Sequence, residues 1–126
     1  MNEEKIKLKL RRFARERDWE KFHSLKNLAI SINLESSELL EIFQWEQENS
    51  SFYNQKVVKD RIKEEVADIL LYLIRFADLS NIDLEKVCLE KIKTNKKRYP
   101  VNLSKGKSTK YSRLKKVKKS ESQRKS

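Results

Sequence analysis

Glycine and proline are nearly missing from this chain of 126 residues, which has one of each. Tight turns and strand punctuation draw on both, so their scarcity disfavours a sheet and favours long helices joined by few loops. One cysteine, Cys88, excludes an intrachain disulfide framework and fits a reduced, cytoplasmic setting. No apolar stretch near Met1 precedes a small-residue cleavage site, so no secretion signal is expected. The longest apolar run, Ile69 to Ile74, is far too short to span a membrane.

What is abundant is charge. Charged residues make up 39% and apolar residues 37%, which suits thin amphipathic layers, and a length of 126 residues suits one domain. Such a chain often completes its core by oligomerising. The formal net charge is +11, but residues 104–126 hold ten Lys/Arg against one Glu. The preceding 103 residues hold twenty basic and eighteen acidic side chains and are almost neutral. The chain therefore divides into a helical domain, 1–103, and a basic, Lys/Ser-rich tail, 104–126, whose end has too little apolar content to fold alone.

Apolar periodicity predicts four helices. The first runs from about Glu3 to Arg17, carrying Ile6, Leu10, Phe13 and Ala14 on one side, and Asp18-Trp19 breaks it. The second runs from Leu25 to Trp45 behind Ser24, a good N-cap. Glu46 to Lys59 reads as a loop, and a third helix follows from Asp60 to Leu79. Its main stripe is Ile62, Val66, Ile69, Leu70, Leu73 and Ala77, extended by Leu71, Ile74 and Phe76. Asp83 caps a fourth helix, Leu84 to Arg98, with Leu84, Val87, Cys88 and Ile92 expected to face inward and Pro100 ending it. The fold class is all-α, a four-helix-type bundle.

Two carboxylate pairs interrupt this pattern. Glu35-Ser-Ser-Glu38 lies in the second helix and Glu65-Val-Ala-Asp68 in the third, each at an i, i+3 spacing that turns both acids to one side. On a helical wheel Glu35 falls in the middle of the stripe formed by Leu28, Ile32, Leu39 and Ile42, with Glu38 at its edge and Glu41 nearer solvent. An acid where the pattern asks for leucine is costly unless it is compensated. A helix break near Asn33 would instead let Glu35 face water. Like charges about 4 Å apart repel by about 4 kcal/mol at an effective dielectric of about 20. Oxygen-only ligands suit a hard cation, Mg²⁺ or Mn²⁺, and four carboxylates leave room for more than one ion beside a substrate phosphate. Such a site can hydrolyse or transfer phosphate, but the spacing also occurs on ordinary solvated helices. Glu20-Lys-Phe-His23 has the Glu-x-x-His form of di-iron bundles, but those need two such pairs and this chain has one histidine.

Four stretches occur together and in order: Arg17 to Asn27, Glu35 to Trp45, Glu64 to Leu73, and Lys91 to Val101. With them the chain resembles the MazG-like all-α nucleoside triphosphate pyrophosphohydrolases, and within these the dCTP pyrophosphatase branch. The resemblance covers nearly all of residues 6–114. It implies a bundle that forms dimers or tetramers and a Mg²⁺-dependent cleavage of a nucleoside triphosphate, such as dCTP or a related pyrimidine nucleotide, to the monophosphate and pyrophosphate. By position it places Glu35, Glu38, Glu65 and Asp68 as metal ligands and catalytic acids. Tyr72, Lys91 and Asn95 fall where phosphate or sugar is contacted, and Trp19 and Trp45 where the base is held. His23 joins them as a substrate-binding position. Relatives often carry glycine where this chain has Leu34 and Ser37, and can carry a base-contacting histidine at the position of Leu10. A different reading makes the basic tail a nucleic-acid or anionic-surface binding module, acting through its Lys/Arg density.

Overall fold

A computed structural model of the chain describes residues 1–44, 51–52 and 54–107. The described residues form helices and turns, with no strand among them. They divide into two units, 1–82 and a second that begins at Asp83.

The first unit is built on three helices. Helix α1, Glu3–Glu16, starts where Asn2 caps the amide of Lys5, and has Glu3 and Glu4 in its first turn, where the helix dipole favours acids. It ends at a reversal in which Asp18 takes a left-handed backbone, φ 54°, and the Trp19 amide donates to the Ala14 carbonyl at 2.9 Å. The next short element is a 3-10 helix, Glu20–Phe22. Helix α2, Leu25–Phe43, begins at Ser24, whose hydroxyl accepts the Asn27 amide at 3.1 Å. It runs unbroken past Asn33, so no break there frees Glu35. Trp45 lies outside the described residues.

Helix α3, Lys56–Leu79, begins four residues earlier than the sequence pattern indicates. Val58 is the reason: it is buried, and the helix gains that contact by starting before Asp60. Both α1 and α2 pack along α3. The core consists of Ala14 on α1, Leu28 and Ile42 on α2, and Val58, Ile74 and Ala77 on α3. The α3 stripe is therefore rotated from the expected one. Ile74 is 1% exposed, whereas Val66 is 50% exposed. A helix that is apolar most of the way round leaves the choice of buried side to its neighbours.

The second unit contains α4, Leu84–Arg98, and the one-turn helix α5, Val101–Ser104. Asp83 caps α4 by accepting the Lys86 amide at 3.1 Å. The expectation of an inward Cys88 does not hold, because Cys88 is exposed, as are Val87 and Ile92. Among the described residues of its own unit, α4 is accompanied by the one-turn helix α5, which is too short to cover a stripe of that length. Pro100 ends α4 and opens α5, a turn that the isolated apolar residues after Pro100 did not signal.

Leu28 is 1% exposed and Leu40, on the same helix, 69%. Leu28→Ala should cost about 2–5 kcal/mol of unfolding free energy, the usual range for a buried leucine. Leu40→Ala should be close to neutral, and urea denaturation of both variants checks the contrast.

Candidate metal centre

The α2–α3 contact that buries Leu28, Ile42 and Ile74 also brings the carboxylate pairs together. Glu35, Glu38 and Glu65 each offer an oxygen, and these oxygens all lie within 4.8 Å of one another. Glu35 and Glu65 are half-buried and Glu38 is exposed, so the cluster has a wet side and a dry side. Asp68 is one turn beyond Glu65 on α3, outside that trio, but its charge still acts on both Glu35 and Glu65. Glu41 and Glu64 are exposed, as the wheel places them.

Three like charges at this range distort the chemistry of the site. Glu35 is pushed up to about 7, first by loss of solvent, then by hydrogen bonding with the Glu38 and Glu65 carboxyls and by the charges of Glu38 and Asp68. Glu65 is raised as well, with loss of solvent again the leading cause. One oxygen each of Glu35 and Glu65, Oε2 in both, is shut away from water without a hydrogen-bond partner. A buried carboxylate oxygen without a donor is expensive. A hard divalent cation would satisfy both oxygens and offset the repulsion, and an all-oxygen donor set suits Mg²⁺ or Mn²⁺. Around the first pair, Ser36 and Ser37 turn their hydroxyls back to the Ile32 and Asn33 carbonyls at 2.8 and 3.0 Å, and Leu34 points to solvent. The helix thus accommodates Leu34 and Ser37 by facing them away from the Glu35 side.

Other expected site residues are more scattered. Tyr72 is half-buried on α3, one turn beyond Asp68 and on the same strip. Trp19 is 44% exposed and packs edge-on to Phe13 with centroids 5.6 Å apart, while Arg17 stacks on the Phe13 ring at 3.7 Å. Its indole is therefore an accessible aromatic face and no part of the core. His23 follows the 3-10 helix and accepts a hydrogen bond at Nδ1 from Arg75 Nε, 3.2 Å away. Glu20 and His23 consequently share no α-helical face, and the di-iron pairing has no geometric basis. Lys91 and Asn95 are exposed on α4, in the second unit. Apolar periodicity does not single out Arg75, a buried cation inside an apolar run. Its signal was its register, on the strip that carries Glu65, Asp68 and Tyr72.

A family model described as "MazG-like family" matches residues 30–114, which include both carboxylate pairs. The chain belongs to the MazG-like family. It is 40% identical over 104 residues to dCTP pyrophosphatase 1 of Mus musculus, covering 81% of this chain and 61% of that protein. Identity to dCTP pyrophosphatase 1 of Homo sapiens is 38% with the same coverage. The chain thus spans about three fifths of the length of these curated relatives. A crystal structure of a pyrophosphatase from Archaeoglobus fulgidus superposes with a TM-score of 0.67 at 38% identity, covering 72% of this chain and 85% of that one. Both the all-α fold class and the MazG-like resemblance are thereby borne out.

The raised Glu35 carboxyl makes a linkage prediction. Its folded form holds a proton more tightly than the unfolded chain does, so it destabilises the metal-free fold as pH rises from 4.5 to about 7. Metal-free wild type should lose melting temperature relative to Glu35→Gln across that window, and saturating Mg²⁺ should narrow the gap. Parallel pH profiles for the two proteins would show that Glu35 titrates normally.

Proposed function

We propose that this chain is a Mg²⁺-dependent nucleoside triphosphate pyrophosphohydrolase that converts a dNTP, dCTP or a related pyrimidine nucleotide, to the monophosphate and pyrophosphate. It would serve to clean or balance the nucleotide pool. The observation that carries the reading is the acid trio, with its two buried, partnerless oxygens, inside a chain of the MazG-like family. The substrate class rests on the relatives, which are dCTP pyrophosphatases.

Glu35, Glu38, Glu65 and Asp68 would hold the metal. When bound, it supplies charge neutralisation at the phosphates and lowers the pKa of an attacking water. The chain's own share is positioning and proton control. Partial burial holds Glu35 and Glu65 in place on α2 and α3, and the exposed side at Glu38 would admit the phosphates. One of the glutamates would orient or deprotonate the attacking water. Trp19 offers an aromatic face for a base, and Tyr72 and His23 offer polar groups beyond the acids on the same unit. Trp45, Lys91 and Asn95 complete the substrate-binding set in this proposal.

The hydrolase domain spans 1–103, with 104–126 a basic tail; the nucleic-acid-binding reading rests on the Lys/Arg density after Ser104, and residues 108–126 of that stretch lie outside the described residues. No helix among the described residues is long and apolar enough to cross a membrane. A cytoplasmic, reduced setting suits a chain with one cysteine. Exposed Ile30 and Leu34 on α2, with Val66 and Leu73 on α3, support assembly into a homodimer or homotetramer.

Incubation with Mg²⁺ and a nucleotide panel, followed by product separation, tests the reaction. dCMP and pyrophosphate from dCTP are expected, and release of inorganic phosphate with a diphosphate product would refute it. Glu38→Gln and Asp68→Asn should each lower turnover by about 100-fold or more while leaving helix content unchanged. Retained activity would remove the altered residue from the metal site.

A further inference from the structure

Opposite in character to the strained acid trio is a second polar cluster in the same unit. Arg75 is 7% exposed, which makes it the buried charged residue of the described core. Its Nη1 lies 3.6 Å from Oδ2 of Asp78, whose side chain is 8% exposed. Asp78 in turn accepts two hydrogen bonds from Arg11 on α1, Nε to Oδ2 at 2.7 Å and Nη2 to Oδ1 at 2.6 Å. These bonds hold the Asp78 carboxyl below its usual range. Arg75 Nε then donates to His23 Nδ1 at 3.2 Å, so the chain Arg11–Asp78–Arg75–His23 links α1, α3 and the start of α2.

An arginine has only donors. A histidine nitrogen bonded to it must therefore present a lone pair, which puts the proton of the neutral imidazole on Nε2. A doubly protonated His23 would place two cations in contact in a partly dry site. Burial, and after it the Arg75 charge, keep His23 below the ordinary imidazole value, with Glu20 acting the other way.

Arg75 also stands in register with the metal centre. On a wheel at about 100° per residue, Glu65, Asp68, Tyr72 and Arg75 fall within about 80° of one another. Arg75 is seven residues beyond Asp68, about 10 Å along the helix axis. A nucleotide whose phosphates lie at the acids would extend its sugar and base along such a distance.

We propose that Arg75 is a positioning residue that locks His23 as a neutral Nε2–H donor, aimed at a hydrogen-bond acceptor on the sugar or base of the nucleotide. Asp78 and Arg11 hold Arg75 in place and neutralise its buried charge. The role of His23 rests on the hydrolase reading above, but its tautomer does not. Arg75→Met removes the donor at similar volume and leaves Asp78 bonded to Arg11.

Because His23 is the one histidine in the chain, a long-range ¹H–¹⁵N correlation spectrum reports on it alone. At mildly alkaline pH the wild type should show a pyridine-type Nδ1 and a pyrrole-type Nε2, and Arg75→Met should show a tautomer mixture. Loss of one neutral hydrogen bond to substrate should raise the KM of Arg75→Met for dCTP about five- to tenfold, with kcat little changed. A protonated Nδ1 or an even mixture in the wild type would overturn the lock, and that spectrum decides the point even if Arg75→Met does not fold. A correct tautomer with an unchanged KM would overturn the positioning role. Absence of dCTP hydrolysis by the wild type would refute the hydrolase reading, and the role of His23 toward nucleotide with it, while the spectrum would still decide the lock.

Discussion

Electrostatic repulsion at the α2–α3 contact is the constraint on which the rest of this structure turns. Packing two amphipathic helices closely enough to bury Leu28, Ile42 and Ile74 also drives Glu35, Glu38 and Glu65 to within 4.8 Å. Hydrophobic burial and like-charge repulsion thus act along the same coordinate, and the separation of the helices is where they balance. The proton affinity of Glu35 is raised to about 7, first because burial strips its solvent and then because the neighbouring acids oppose its charge. An ion of two positive charges held between the acids would relieve that repulsion.

The two polar clusters of the first unit solve opposite problems. The acid trio leaves two buried oxygens without partners, which keeps it reactive toward protons and cations. The Arg11–Asp78–Arg75–His23 chain sets a carboxylate between two guanidiniums and ends on a neutral acceptor, so each group meets a donor or acceptor that suits it. A satisfied network of this kind rigidifies what it touches. Here it touches the corner from which α2 departs, and so bears on where Glu35 and Glu38 sit.

The helix pattern and its caps were legible because both are local. Ser24 and Asp83 cap the helices expected of them, and the start and end of α4 agree with the periodicity. Glu35 was legible as a violation, since an acid in a leucine stripe stands out on a wheel. The early start of α3 is not legible because the burial of Val58 belongs to the folded chain and leaves no mark in local periodicity. Cys88 was misjudged because periodicity marks the apolar side of a helix without saying whether anything covers it. Arg75 was overlooked because a single cation in an apolar run looks like a solvated interruption until its partners are known.

The sequence by itself determined that the chain would be all-α, that its acids would come in two i, i+3 pairs, and that the basic charge would gather after residue 103. These follow from side-chain chemistry within a few residues along one helix. Only the tertiary structure decided which acids meet, since Glu35 and Glu65 are thirty residues apart in the chain and are joined by the packing of α2 on α3. It also decided that Arg75 turns inward to His23 and Asp78, because a buried charge adopts the side on which a partner waits.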